Sequence, residues 1–193
     1  MTATEREDRA WKQRRPRKKR HPLRWLIALA ALTAGGVLWF QWQCWGLSAT
    51  HTQAELPGLP QAFDGYKIVH LSDLHGHEYG EGSRDLLALV RGEEPDLILV
   101  TGDLIDQKSQ MAMASNLARG LAAIAPTYYV TGNHEWALGT GAVKELKRQL
   151  AQGGVSVLSN QYQLLEKNGE KLVLAGVDDP NGYADQTTPE ELY

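Results

Sequence analysis

The chain has 193 residues, enough for one domain with an appendage, and carries a net formal charge of −3. Its first 20 residues hold nine Lys/Arg and three Asp/Glu, a local net of +6 that leaves −9 for the rest, so the globular part is acidic and is not expected to bind nucleic acid. The single cysteine, Cys44, excludes an intramolecular disulfide framework and a cysteine-rich zinc site.

Residues 1–22 read as a basic, disordered cytoplasmic tail, ending in Arg14-Arg15-Pro16-Arg17-Lys18-Lys19-Arg20. From Trp25 to Leu47 there are 23 residues without a charge, and a helix crossing a bilayer core needs roughly 20. Trp25 stands at one end, and Trp39, Phe40, Trp42 and Trp45 crowd the other, as interfacial aromatics do. The expectation is a single membrane helix over residues 23–47, a signal anchor. The basic cluster would keep the N-terminus in the cytoplasm and place the rest of the chain outside it. The alternatives are a cleaved signal peptide, for which Leu47-Ser48-Ala49-Thr50 is a poor cleavage site, and a buried helix.

Residues 48–64, with Pro57, Gly58 and Pro60, read as a linker with room for one short edge strand. A strand–helix rhythm follows over residues 65–193. Strands are expected at Tyr66–Leu71, Leu97–Thr101, Thr127–Thr131 and Val155–Leu158, and helices at Ser83–Glu94, Lys108–Ile124 and Thr140–Gln152. Leu86, Leu87, Leu89 and Val90 form the apolar face of the first of these helices. The continuous apolar run Leu97–Thr101 is that of a strand covered on both faces. The rhythm then changes to a hairpin, Gln161–Glu166 and Lys171–Ala175, joined at Asn168-Gly169. Thr188-Pro189-Glu190-Glu191 reads as a helix start. The fold class is α/β, with a mostly parallel core sheet.

Three of the strands run straight into polar residues: Asp73-x-His75, Gly102-Asp103, and Gly132-Asn133-His134-Glu135. Their spacing of about 30 residues is that of strand–helix–strand units. Ligands of open α/β sheets gather beyond the carboxyl ends of the strands. The expected site therefore joins Asp73, His75, Asp103, Asn133 and His134. Carboxylate, imidazole and amide donors suit Mn²⁺, Fe or Zn²⁺. In a two-metal reading Asp103 bridges, Asp73 and His75 complete one ion, and Asn133 reaches the other. His134 is assigned to the substrate as the catalytic residue, and Asn133 shares in substrate binding. Any one of these residues, taken alone, reads as an ordinary strand-end polar group. His77 reads as a loop residue, His70 as a core histidine, and Met111 and Met113 as core filling. Asp106 and Asp179 stand near strand ends, where each could orient a histidine. Glu135 reads as favouring the start of the next segment.

The three blocks, in this order and spacing, resemble the first signature blocks of the calcineurin-like metallophosphoesterases, over roughly Tyr66 to Pro180. They are most similar to the bacterial membrane-associated branch with YkuE- and YaeI-like phosphodiesterases. The resemblance implies a β-sandwich flanked by helices and a centre of two divalent metal ions that hydrolyses phosphate mono- or diesters. Membrane proximity favours a lipid-like phosphate ester, and no obligate protein partner is evident. The family also supplies later ligands, a lone His and a Gly-His-x-His block, whereas the last histidine here is His134. The chain is accordingly expected to be the N-terminal part of such a domain. The alternative function is a catalytically incompetent fragment or binding module of the same fold.

Overall fold

The structure is a computed structural model that describes residues 22–180, 182 and 187–192. The expected basic tail over residues 1–21, with His21, and the side chains of Trp42, Cys44 and Trp45 lie outside the described residues. The chain divides into two compact units, residues 1–46 and 47–193.

In the first unit, Pro22–Trp45 forms one continuous helix, α1. Pro22 fits its first turn, where a missing N–H costs nothing. Its Pro22–Phe40 stretch is long and apolar enough to cross a membrane, and none of it is buried against protein. Leu23, Trp25, Leu26, Trp39 and Phe40 all face outward. Thr33 turns its hydroxyl back onto the carbonyls of Leu29 and Ala30, at 3.1 and 2.9 Å, so the helix carries this polar group without an outside partner.

The second unit is built on a parallel sheet of four strands in sequential order: β1 Ile68–Leu71, β2 Leu97–Thr101, β3 Thr127–Val130 and β4 Ser156–Val157. The register aligns His70 with Leu99 and Thr101 with Val130, so the strands end nearly level. Helices α2 (Arg84–Gly92), α3 (Met111–Ala122) and α5 (Thr140–Gln152) make the crossovers. Sequential order with crossovers of one hand puts all three on the same face. There Leu86, Val90, Leu117, Leu121, Leu146 and Leu150 pack with Ile98, Val100 and Tyr129.

The other face meets the antiparallel hairpin of β5 (Gln161–Lys167) and β6 (Glu170–Gly176). Leu165 and Leu174 pack onto Leu97 and Tyr128, giving a second sheet layer. Asn168 (φ 52°) and Gly169 (φ 83°) both take the left-handed backbone of a tight hairpin turn, which is why the Asn-Gly pair could be read from sequence. At the far end Thr188 and Glu191 cap the short helix α6 (Pro189–Leu192) reciprocally: the Thr188 hydroxyl accepts from Glu191 N–H, and the Glu191 carboxylate accepts from Thr188 N–H.

Three local readings change. Residues 48–64 contribute no strand; a 3₁₀ turn at Gln61–Phe63 buries Phe63 instead. His70 is exposed rather than in the core, because β1 is the sheet's edge among the described residues and the hairpin covers β2 and β3. Its Nε2 meets Thr101 Oγ1 at 2.6 Å. The residues after β3 form a helical turn, α4 (Asn133–Ala137), where sequence reading placed none.

Candidate metal centre

The loops leaving β1 and β2 run side by side and extend the parallel pairing beyond the strands. Asp73 N–H donates to Gly102 C=O at 3.4 Å, His75 N–H to Asp103 C=O at 2.8 Å, and Gly76 N–H to Leu104 C=O at 2.8 Å. Asp73, His75 and Asp103 each hold a positive φ, 55°, 49° and 50°. That left-handed backbone costs energy in any residue but glycine and gathers at functional sites. It turns three successive candidate ligands away from the strand direction. The β2 and β3 loops approach so closely that a Cβ on Gly102 (φ +77°) would stand 2.4 Å from Gly132 N, and one on Gly132 would stand 2.3 Å from Asp103 Oδ1.

At this edge His75, Asp103 and His134 each offer a ligand atom, all within 4.8 Å of one another. The His134 N–H also donates to Asp103 Oδ1 at 3.0 Å. The two imidazoles meet edge to face at 4.6 Å between ring centres. Asp73 lies just outside this cluster, with its Oδ1 3.8 Å from His75 Nε2 and its Oδ2 accepting from Ser72 Oγ at 2.5 Å. Asn133 opens α4, exposed and adjacent to His134. An imidazole–carboxylate–imidazole set at this spacing fits one divalent ion of the Mn, Fe or Zn type. Asp73 adjoins the set through His75, and Asn133 precedes His134 at the start of α4. His134, assigned to substrate from sequence, lies within the cluster itself.

Asp106 orders both rings. Its Oδ1 accepts from His75 Nδ1 at 2.8 Å and lies 2.7 Å from His134 Nδ1. A carboxylate on the far nitrogen fixes an imidazole's tautomer and leaves Nε2 for a ligand. The Asp106 hydrogen bond holds the His75 imidazole above its ordinary pKa, and the same bond holds Asp106 below the usual carboxylate value. The Gln110 side chain secures the Asp106 loop, accepting from Asp106 N–H and Gln107 N–H at 2.8 Å each and donating to His75 C=O at 3.4 Å.

The residue that sequence reading undervalued is Glu135. It is fully buried, yet its carboxylate accepts four backbone N–H groups: Asp103 at 2.9 Å and Gly132 at 2.8 Å on Oε2, Leu104 at 2.6 Å and Ile105 at 3.2 Å on Oε1. Burial pushes its pKa up, and these four donors pull against that. Glu135 thus ties the loop that carries Asp103 to the turn that carries Asn133 and His134. The one sequence signal was its place three residues after a glycine at a helix start.

An α/β domain with carboxylate and imidazole donors gathered beyond the carboxyl ends of three adjacent parallel strands is consistent with a metallophosphoesterase fold. The family model for calcineurin-like phosphoesterases matches residues 66–191, and the chain belongs to that family. The chain is 33% identical over 164 residues to the uncharacterized metallophosphoesterase YkuE of Bacillus subtilis, covering 79% of this chain and 56% of that protein. It is 33% identical over 118 residues to the phosphodiesterase YaeI of Escherichia coli, covering 59% of this chain and 44% of YaeI. A transmembrane protein with a metallophosphoesterase domain from Danio rerio is 30% identical over 129 residues, covering 63% of this chain and 29% of that one. The chain spans about half the length of the bacterial relatives it matches. The family is one of phosphoesterases, hydrolases that generally use divalent metals.

Proposed function

We propose that the chain hydrolyses phosphate esters with the help of two divalent metal ions and is anchored in a membrane by α1, with residues 48–193 outside the cytoplasm. In this reading Asp73, His75 and Asp103 would hold one ion, and Asp103 with Asn133 would supply donors for a second. A bound divalent ion supplies positive charge that polarises the phosphoryl group and acidifies water. His134, steadied by Asp106, holds a proton near the leaving oxygen, and Asn133 helps position the phosphate. Glu135 keeps the Asp103 and His134 segments in register without touching the reactants. The observation that supports this reading is that Asp103 and His134 converge on His75 at one sheet edge, with Asp73 Oδ1 3.8 Å from His75 Nε2 and Asp106 occupying His134 Nδ1 at 2.7 Å. The substrate class we favour is a lipid-like phosphate ester, on the strength of α1 and the transmembrane relative. The anchor would begin in a basic cytoplasmic tail over residues 1–22, span 23–47 and pass through a linker at 48–64.

A second reading is a metal-binding module of the same fold without turnover. It is favoured by the His75–Asp103–His134 set, which among the described residues offers donors for a single ion. The full chain, purified in detergent and supplied with Mn²⁺, is assayed on an aryl phosphodiester and an aryl phosphomonoester. The expected result is slow hydrolysis that stops on chelation and in Asp103→Asn and His134→Ala. Mn²⁺ binding with no hydrolysis supports the module. Neither binding nor hydrolysis contradicts both readings.

A further inference from the structure

Beneath the segment that carries Asn133 and His134 lies a buried polar assembly that the metal centre does not itself use. Asp178 follows β6 and is 2% exposed. Its Oδ1 accepts from the Thr131 hydroxyl at 2.6 Å and from Thr131 N–H at 3.4 Å. Its Oδ2 accepts from Lys147 Nζ at 2.6 Å and also meets the Ser159 hydroxyl. Lys147, on α5, donates as well to Ser159 Oγ at 2.5 Å and sits 5.3 Å above the Trp136 ring. Trp136, on α4, donates its indole N–H to Thr131 Oγ1 at 2.9 Å, which closes the circuit.

The groups joined here come from five places in the chain: the end of β3, α4, α5 and the two ends of the β5–β6 hairpin. The hairpin's ends are themselves tied, since Asp178 N–H donates to Asn160 Oδ1 at 3.0 Å. Gly176 allows the approach: a Cβ there would stand 2.4 Å from Leu158 Cβ and 2.7 Å from Val130 Cγ1. Thr131 therefore has its hydroxyl and its N–H fixed from below by Asp178, two residues before Asn133. Trp136, two residues after His134, is fixed by the same Thr131 oxygen. Both flanks of the Asn133–His134 pair are held by one carboxylate and its lysine. A buried carboxylate is costly unless paired and hydrogen-bonded, and here the group that satisfies it, Thr131, also holds the Trp136 indole on the other flank of Asn133 and His134.

We infer that Asp178, paired with Lys147, is a positioning residue that sets the placement of Asn133 and His134 from the hairpin side, as Glu135 does from the β2 side. The inference rests on the metal-binding reading only for its functional readout. The position itself can be read without metal, through the Trp136 indole N–H.

The test compares wild type, Asp178→Asn, Thr131→Val and Thr131→Ser as full chains in detergent, with Mn²⁺ affinity measured by paramagnetic resonance of the free ion. Outer groups that orient ligands typically change metal affinity by about 10–100-fold. Asp178→Asn is expected to weaken Mn²⁺ binding about tenfold. Thr131→Val, which keeps the Asp178–Lys147 pair, should weaken it in the same direction, and Thr131→Ser, which keeps the hydroxyl, should restore it. In the metal-free proteins the Trp136 indole hydrogen should exchange faster in Asp178→Asn and Thr131→Val than in wild type and Thr131→Ser. If Asp178→Asn fails to fold, the Thr131 pair decides by the same two readouts. If wild type binds no Mn²⁺, the proposed function fails, and hydrogen exchange alone decides the positioning. Folded variants with wild-type Mn²⁺ affinity and wild-type Trp136 exchange would overturn the inference.

Discussion

The buried carboxylate of Glu135 accepts the backbone N–H of Asp103 at 2.9 Å, across 32 residues of sequence. It binds the two strand-end loops at the one place where the candidate ligands they carry must stay in register. Glu135→Gln puts an NH₂ where one carboxylate oxygen now meets two N–H donors. A buried donor left without an acceptor costs about 1–3 kcal/mol. We expect Glu135→Gln to lose about 2 kcal/mol in urea unfolding and to bind Mn²⁺ more weakly, whereas Glu135→Gln with unchanged stability would deny the clamp.

Asp106 makes a different prediction, read on a ring rather than on the whole fold. Its hydrogen bond raises the His75 pKa in the metal-free protein. The raised value means that His75 keeps its proton to higher pH than a free histidine. Asp106→Asn removes the charge and most of that preference. Titration of the His75 ring followed by NMR should show a midpoint above the ordinary histidine value of about 6.5, falling toward it in Asp106→Asn. Equal midpoints in the two proteins would mean that Asp106 does not govern the ring.

Asp178 gives an acid dependence. Burial pushes its carboxyl up, but hydrogen bonds from Lys147, Ser159 and Thr131 outweigh burial and leave it below the usual value. A depressed carboxylate contributes stability above its unfolded value, near pH 4, and that stability is lost as pH falls through the folded value. Removing one partner of a buried pair costs about 3 kcal/mol. Asp178→Asn should therefore be less stable than wild type by about 3 kcal/mol at pH 7, and the gap should narrow toward pH 3. A gap that is the same at both pH values would show that the charge on Asp178 is not what stabilises the fold.

Much of this arrangement was legible in the sequence because it is local. Leu97–Thr101 reads as a doubly covered strand, and it is one: Leu97, Ile98 and Val100 are buried, with the helices on one side and the hairpin on the other. Asn168-Gly169 names its own turn. The strand-to-ligand rhythm placed Asp73, His75, Asp103, Asn133 and His134 beyond the ends of adjacent strands because parallel strands of similar length end level. What escaped was non-local. Glu135 is bound through backbone N–H groups of the Asp103 loop, to which its place after Gly132 gives no clue. Asp178 and Asp179 look alike in sequence, and only packing against Thr131 and Lys147 singles out the role of Asp178. His70 alternates like a core residue, but its exposure depends on which strands the hairpin reaches.

Whether the strand-end cluster holds metal can be read by titrating the metal-free full chain with Mn²⁺ and counting bound ions in wild type, Asp103→Asn and His75→Ala. Wild type is expected to bind at least one Mn²⁺ per chain, and each substitution is expected to weaken that binding by about 100-fold, at or beyond the upper end of what outer groups alone produce. Folded Asp103→Asn and His75→Ala proteins that bind Mn²⁺ as wild type does, or a folded wild type that binds none, would contradict the proposal of a metal centre.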